Sequence, residues 1–410
     1  MTSTQKKDAG ALSAISRLLV SSDGAVSVAV VILGFIVATL LILCVGRNPA
    51  GMYKAIVQVV TGWNLDRGTW NIRYVGEWLN YSIPYVMCGF SMAFAARTGL
   101  FNIGGEGQYI IGVTVAQLGA LFFPQVPGLH WLTALLCALV AGAVWGGIVG
   151  FLKARFEVSE VVSTIMLNYV ALYLSRIITL TIPGTNTFKT VDFPKTALLR
   201  SPLLEKLTNG SMLNYGIFIM LLVAVLYWFL MEKTNLGFAL KATGFNRNAA
   251  HYAGIPVVSS IVIAMAISGA YAGLGGGIVA LGSFKYGRVI SAMDNYGYTG
   301  IAVALVGNNR ALGTVLAGLL FGMLQASQPL MQSKAIPKEI TFIIQGLVVV
   351  FIALKTGLRL LITWSLRRAQ RAAVGATSLP TDAPQVAASA PSSSLGVAPV
   401  ETPQNEGGQK

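Results

Sequence analysis

What most constrains this chain is the recurrence of long apolar runs that carry almost no charge. About 20 such residues cross the hydrocarbon core of a bilayer as a helix, and the run 26–45 has that length. Further runs lie near 79–96, 107–123, 130–152, 160–182, 213–231, 257–282, 295–308, 311–328 and 338–360, ten in all. Only 11% of the residues are charged, against roughly 25% in an average soluble domain. Hydrophobic residues make up 54%, with a mean hydropathy of +0.67, more apolar surface than one water-facing core could hide. The expected fold is all-α, a polytopic membrane protein of about ten transmembrane helices, and an ordinary soluble enzyme is excluded.

The run 26–45 is too long for the core of a signal peptide, and Gly46, Arg47 and Asn48 form no small-x-small cleavage pattern, so it reads as an uncleaved anchor. An even number of spans places both termini on one side. The Lys/Arg bias puts that side in the cytoplasm: Lys153, Arg155, Lys233, Lys241, Arg247 and Arg310 would be inside, against Arg47, Lys54, Lys189, Lys285 and Lys334 outside. This divides the chain into a cytoplasmic N-terminal segment, 1–23, a membrane domain, 24–363, and a cytoplasmic tail, 364–410. The tail starts with Arg367, Arg368 and Arg371 and continues Ala/Pro/Ser-rich through Pro380, Pro384 and Pro391. It buries too little apolar area to offset its ordering entropy and is expected to be disordered.

The formal charge of +14 is scattered in clusters between apolar runs, with no basic face and no zinc or RNA-binding motif. The expected partners of these cations are membrane lipid headgroups and no nucleic acid. Cys44, Cys88 and Cys137 each lie inside an apolar run and read as small buried side chains with no disulfide framework. Gly142, Gly146 and Gly150 recur every four residues, as do Gly269, Gly273 and Gly277, so each triplet marks a helix face that a neighbouring backbone can approach closely. Gly275 and Gly276 would also loosen the second of these helices.

Several chemistries are missing. No phosphate-binding loop occurs and no Gly precedes Lys, so the chain does not bind ATP in the Walker manner. His130 and His251 are expected on opposite sides of the membrane, which leaves no metal site and no catalytic residue to name. Asn209-Gly210-Ser211 matches a glycosylation sequon but is read as a turn.

Polar residues within the apolar runs form three groups. The stretch 97–108 joins two spans through Gly99, Gly104, Gly105 and Gly107, and is either a gating turn that re-enters the membrane or a plain interfacial loop. It carries Asn102, Glu106 and Gln108; a buried Glu106 would need a partner, with Arg97 as the candidate. In the second group Glu157 and Glu160 complement a helix dipole. Asn168, followed by Tyr169, Tyr173 and Arg176, would bond another helix or a polar solute, and Arg176 could snorkel outward. The third group is 294–298, including Asn295 and Tyr298, with Gln325, Gln328 and Gln345 in later spans. Neutral amides and aromatic rings suit a pathway for an uncharged polar solute, and equally suit helix-to-helix bridging. The solute-pathway candidates are therefore Asn102, Glu106, Gln108, Asn168, Tyr169, Asn295 and Tyr298.

Between two spans, residues 232–256 offer Asn246 as the cap of a short helix, with Ala249, Ala250 and Ala253 on a flat face, Gly254 as a stop and Pro256 beyond. This is either a protein-docking element or an ordinary surface helix. Four pieces in order then give a family resemblance: Thr98-Gly99-Leu100-Phe101-Asn102-Ile103-Gly104 with Glu106-Gly107-Gln108, the stretch from Glu160 to Asn168-Tyr169, the loop from Gly244-Phe245-Asn246 to Gly254, and Gly300-Ile301-Ala302-Val303-Ala304-Leu305. The chain resembles permease subunits of ABC importers for simple sugars and nucleosides, in the nucleoside branch served by binding lipoproteins. The resemblance implies an ABC importer permease fold in the plasma membrane, carrying nucleosides or, as the alternative, ribose-type sugars.

It also implies a coupling helix at 244–254, with Gly244, Asn246, Ala249, Ala250, Tyr252, Ala253 and Gly254 meeting a separate ATPase subunit. ATP and Mg would be bound by that ATPase, with no cofactor in this chain. A second permease, identical or paralogous, and an external substrate-binding lipoprotein complete the implied assembly. The chain departs from the family pattern in its long tail and in Gly104-Gly105, where relatives often carry Gly-Ala. A stand-alone secondary transporter would need membrane carboxylates for ion coupling, and Glu106 is the only plausible one. A membrane-embedded enzyme would need a nucleophile with base or metal that the sequence does not offer.

Overall fold

Each apolar run is helical within the described residues, and the segments between them hold more structure than loops. The computed structural model describes residues 23–354 and Trp364. The expected N-terminal segment and tail otherwise lie outside the described residues. In chain order the helices are α1 (Asp23–Cys44), α2 (Ala50–Thr61), α3 (Arg73–Arg97), α4 (Gly105–Phe122), α5 (His130–Phe156), α6 (Glu160–Leu180), α7 (Pro202–Leu207) and α8 (Gly216–Lys233). They continue with α9 (Asn235–Phe245), α10 (Arg247–Tyr252), α11 (Val257–Gly282), α12 (Tyr296–Val306), α13 (Ala311–Ser333) and α14 (Glu339–Ala353). All belong to one compact unit, Met1–Leu361; a second unit, Ile362–Lys410, contains only Trp364 among the described residues.

Six of these helices, α1, α5, α6, α8, α11 and α13, are long and apolar enough to cross a membrane. This is fewer than the ten expected. α12 and α14 are apolar but short. α3 and α4 fall outside for a different reason: Ser82 to Ala95 of α3 and Gly105 to Thr114 of α4 are buried, so neighbouring helices rather than lipid solvate them and their polar residues are tolerated.

The two glycine triplets pack against one another. A Cβ on Gly142 would lie 2.4 Å from the Gly269 carbonyl oxygen, one on Gly146 2.3 Å from that of Met265, and one on Gly273 2.6 Å from that of Ala138. α4 joins the same contact, since a Cβ on Gly112 would lie 2.1 Å from the Gly273 oxygen. α4, α5 and α11 thus meet backbone to backbone, the close approach that small residues permit in lipid. Beside them Phe90, Phe94, Tyr227 and Tyr271 form an aromatic cluster, with Phe90 and Tyr227 stacked at 4.9 Å.

α2 is amphipathic and buries Met52, Ala55, Gln58 and Val59; a hairpin follows, β1 (Trp63–Asn64) against β2 (Thr69–Trp70). Asp66 at its tip is bonded by Lys334 and by Lys54, the latter at 2.6 Å. Those two ammonium groups, Lys334 foremost, pull its carboxyl from 3.8 to about 2. β3 (Lys189–Asp192) pairs antiparallel with β4 (Tyr286–Arg288), although nearly a hundred residues separate them.

Two smaller expectations are corrected. Cys44 is exposed and Cys137 half-buried, leaving Cys88 alone fully buried. Glu157 does not start a helix: it closes α5 in the left-handed region, at φ 53°, and only Glu160 stands in the first turn of α6. His130 is bonded to Thr196 Oγ1 at 2.9 Å and the Gly119 carbonyl at 3.1 Å. Asn209 and Gly210 do form a turn, with φ 52° and 79°.

Candidate functional site

After Arg97 the chain turns at Gly99, φ 72°, and folds back along α3. Asn102 Nδ2 lies 3.2 Å from Ser91 Oγ, six residues or about 9 Å up the helix from Arg97. Of the two readings of this stretch, the backbone therefore re-enters the bundle. Asn102 Nδ2 also reaches Ser268 Oγ at 2.6 Å and Gln108 Oε1 at 2.9 Å, and Asn102 Oδ1 accepts from the Gly104 N–H at 2.9 Å. Ser268 Oγ donates to the Ser91 carbonyl at 2.7 Å. This amide and hydroxyl cluster is buried, and its hydrogen bonds replace the water that re-entrant backbone would otherwise need.

Glu106 is fully buried. Its partner is not Arg97, which ends α3 and pairs with Glu232 at the end of α8. Instead Oε1 accepts from the Asn295 N–H at 2.8 Å and Oε2 from the Gly297 N–H at 2.7 Å. These are amides at the start of α12, whose positive dipole end favours a carboxylate. The junction is tight: a Cβ on Gly297 would lie 2.1 Å from Glu106 N. Asn295 enters α12 from the left-handed region, φ 65°, a conformation Asn tolerates. Asp294 beside it takes a two-pronged contact from Arg288, at 3.2 and 2.5 Å, and a bond from the Tyr109 hydroxyl at 3.3 Å.

Asn168 joins α6 to both elements. Its Oδ1 accepts from the Gly107 N–H at 2.8 Å, one of the N-terminal amides of α4 that lack an intrahelical acceptor. Its Nδ2 donates to the Ile103 carbonyl and the Tyr298 hydroxyl, both at 3.1 Å. Of the two readings offered for Asn168, its amide bonds other helices. Asn102, Glu106, Gln108, Asn168, Asn295 and Tyr298 thus surround the meeting point of α4 and α12. Tyr169 does not join them: one residue on, it points about 100° around the helix and is 51% exposed. Gln325 and Gln328 lie apart, where Gln325 accepts from Tyr85 and Gln328. Sequence reasoning missed Ser91, Ser268, Tyr109 and Arg288: Ser268 and Arg288 lie far along the chain from the 97–108 stretch, and Ser91 and Tyr109, though close to it, carry no local motif.

Residues 244–254 touch this site directly. Asn246 Oδ1 caps α10 through the Ala249 N–H at 3.0 Å, and Gly254 stops it with φ 80°. A Cβ on Gly244 would lie 2.7 Å from the Thr98 carbonyl carbon, so the end of α9 sits on the root of the re-entrant segment. The expected flat face of three alanines is not what α10 presents, because Ala250 points inward at 3% exposure. Outward go the rings of Phe245 and Tyr252, 91% and 90% exposed, with Ala249 and Ala253 beside them.

Residues 74–353 match the family described as the branched-chain amino acid transport system / permease component. The chain is 42% identical to the guanosine ABC transporter permease protein NupP of Bacillus subtilis, over 80% of this chain and 92% of that one. It is 34% identical to the nucleoside ABC transporter permease protein NupB of Lactococcus lactis, over 79% and 89%. Against the glucose ABC transporter permease protein TsgB13 of Haloferax volcanii it is 31% identical, over 67% and 75%. No solved structure gives a significant match. The chain is a multi-pass membrane protein and belongs to the branched-chain amino acid transport system permease family.

Proposed function

We propose that this protein is the permease subunit of an ATP-driven importer of nucleosides. The observation that carries the proposal is the 42% identity, running over nearly the whole of a guanosine permease. The relative named for nucleosides supports the same substrate class, and the relative named for glucose supports simple sugars as the second reading. In this reading the ten helical runs make ten passages through the bundle, with α12 and α14 completing theirs alongside flanking loop, and both termini are cytoplasmic.

A separate ATPase, holding ATP and Mg, docks on residues 244–254; an external lipoprotein delivers the solute; a second permease completes the passage. Phe245 and Tyr252 are the apolar anchors of the docking surface, since exposed aromatic rings lose most water contact when a partner covers them. The push they receive is transmitted through Gly244 to the backbone of Thr98, and from there along the re-entrant segment to Asn102 and Glu106. Import then proceeds by population shifts, each ligand favouring one conformation by its differential affinity.

The test is purification of the tagged chain in mild detergent, followed by ATPase assay with and without guanosine and the binding lipoprotein. A co-purifying ATPase stimulated by guanosine is the expected result. Recovery of this chain alone, moving solute in liposomes without ATP, would overturn the coupling and with it the importer reading.

A further inference from the structure

We propose that the outward face of α6 is a solute-facing wall on which Tyr169 and Tyr173 stack a nucleobase and Arg176 hydrogen-bonds the solute at one end. The proposal rests on the nucleoside reading above and names the wall that serves it.

The membrane-length helices differ in what they show outward. The exposed middle of α5 is Leu132, Leu136, Val140, Val144 and Ile148, and that of α8 is Phe218, Leu221, Leu222, Val225, Leu226, Trp228 and Phe229. α1 exposes Val28, Ile32, Leu33, Ile36 and Leu40. Such faces suit lipid tails. α6 differs in carrying Tyr169, Tyr173 and Arg176 among its exposed apolar residues Val162, Met166, Val170, Leu174, Ile177 and Leu180; the two tyrosines are 51% and 61% exposed, and Arg176 is exposed as well. Steps of three and four residues keep these side chains within one arc of the helix, about 10 Å long from Tyr169 to Arg176.

Among the described residues neither tyrosine hydroxyl has a hydrogen-bond partner and Arg176 has no ion pair. Tyr169 and Tyr173 are the tenth and fourteenth of 21 residues in α6, in the middle of the span, where hydrocarbon does not solvate their hydroxyls, while Arg176 lies towards one end of the helix. Polar groups at such depth face water-filled cavities or partners. Two flat rings and a guanidinium in a line match a planar heteroaromatic base carrying carbonyl and ring-nitrogen acceptors: rings stack on any base face, and the guanidinium supplies a planar fork of N–H donors. The inward residue of the same turn, Asn168, anchors α6 to α4, so the wall and the buried polar cluster are two faces of one helix.

Cysteine scanning in the intact, reconstituted transporter tests this, with the three native cysteines replaced by alanine. Tyr169→Cys and Tyr173→Cys should react with a charged, membrane-impermeant thiol reagent and be protected by guanosine, while the lipid-facing control Leu222→Cys should not react. Tyr173→Ala should raise KM for guanosine by roughly tenfold, the size of one lost stacking contact, with kcat little changed; Tyr173→Phe should restore it. Unreactive cysteines at both positions, as expected if lipid or a second permease covers this face, would overturn the proposal. So would reactive cysteines that guanosine does not protect in a complex that imports guanosine. Reactive cysteines in the variants, where the wild-type complex imports no nucleoside, would instead remove the nucleoside reading and leave a water-lined wall for another solute.

Discussion

The packing of α4, α5 and α11 makes a sharp demand on Gly269. A Cβ placed there would lie 2.1 Å from the Gly142 carbonyl oxygen and 3.1 Å from Gly146 Cα. Ordinary contact begins at 3.4 Å, so 3.4 − 2.1 = 1.3 Å of separation is required. The obstacles are helical backbone and cannot rotate away as a side chain would. Overpacking of this kind costs about 1–3 kcal/mol, and Gly269→Ala is expected at the upper end because both contacts are main chain. Gly147→Ala is the internal control: it lies in α5 one residue from the seam, and its Cβ would meet only the Ala266 Cβ at 3.7 Å. That change should be neutral or stabilising by up to about 1 kcal/mol, the helix-propensity gain of Ala over Gly. The assay is thermal unfolding of the detergent-solubilised protein, read as the loss of the monodisperse peak in size-exclusion chromatography. A Gly269→Ala protein that unfolds at the same temperature as Gly147→Ala would refute the backbone-to-backbone seam.

Three further outcomes are expected. Glu106→Gln keeps one acceptor but turns an N–H donor toward a peptide N–H of α12, leaving a buried donor unpaired at a cost of about 1–3 kcal/mol; Glu232→Gln, at the half-exposed pair with Arg97, should cost under about 1 kcal/mol, and thermal midpoints in which Glu232→Gln is the worse would contradict the cap. Tyr252→Ser should leave thermal stability within about 0.5 kcal/mol, as surface changes usually do, yet abolish ATP-dependent uptake in vesicles; full uptake would remove Tyr252 from the docking surface. The Asp66 carboxyl is held at about 2 against 3.8, so its contribution is fully present above the unfolded value and fades as pH falls from there through about 2; hydrogen exchange of the 63–70 hairpin should be equally protected at pH 7 and 5, once corrected for intrinsic exchange rates, and loss of protection already at pH 5 would show the ties to Lys334 and Lys54 to be ineffective.

What the sequence made legible follows from the range of its signals. Helical runs and glycine spacing are local periodicities, and both survive into the fold. Which seam faces which is not local: nothing in Gly142 or Gly269 says that they meet. Arg97 was the natural partner for Glu106 by proximity along the chain, but the re-entrant turn carries Glu106 inward while Arg97 stays at the helix end with Glu232. The true partners are peptide N–H groups, which leave no trace in side-chain identity. Adjacency in sequence groups Tyr169 with Asn168, though a helix separates neighbours by about 100°. α2 and the hairpin after it leave no such signal, because a half-buried surface helix of 12 residues lacks the length that marks a span.

The helices around the re-entrant segment are joined to it by contacts of different kinds. Along the seam α4, α5 and α11 touch backbone to backbone, and a relative shift of even an ångström would produce overlap at Gly112, Gly142, Gly269 and Gly273 or open a void that costs packing. α12 meets this block as closely at Gly297, where a Cβ would lie 2.1 Å from Glu106 N, and adds the hydrogen bonds of Asn295 and Gly297 to Glu106; α6 is tied to it by Asn168, bonded to Gly107 and Ile103. A hydrogen bond exchanged for one to water changes the free energy by about 1 kcal/mol, so of these two joints the one at α6 opens at the lower cost once water can enter. Both joints converge on the re-entrant segment, and Gly244 presses on its root. Residues 244–254 therefore bear, through Gly244, on the segment that carries both joints, which is where the coupling proposed above would apply its force.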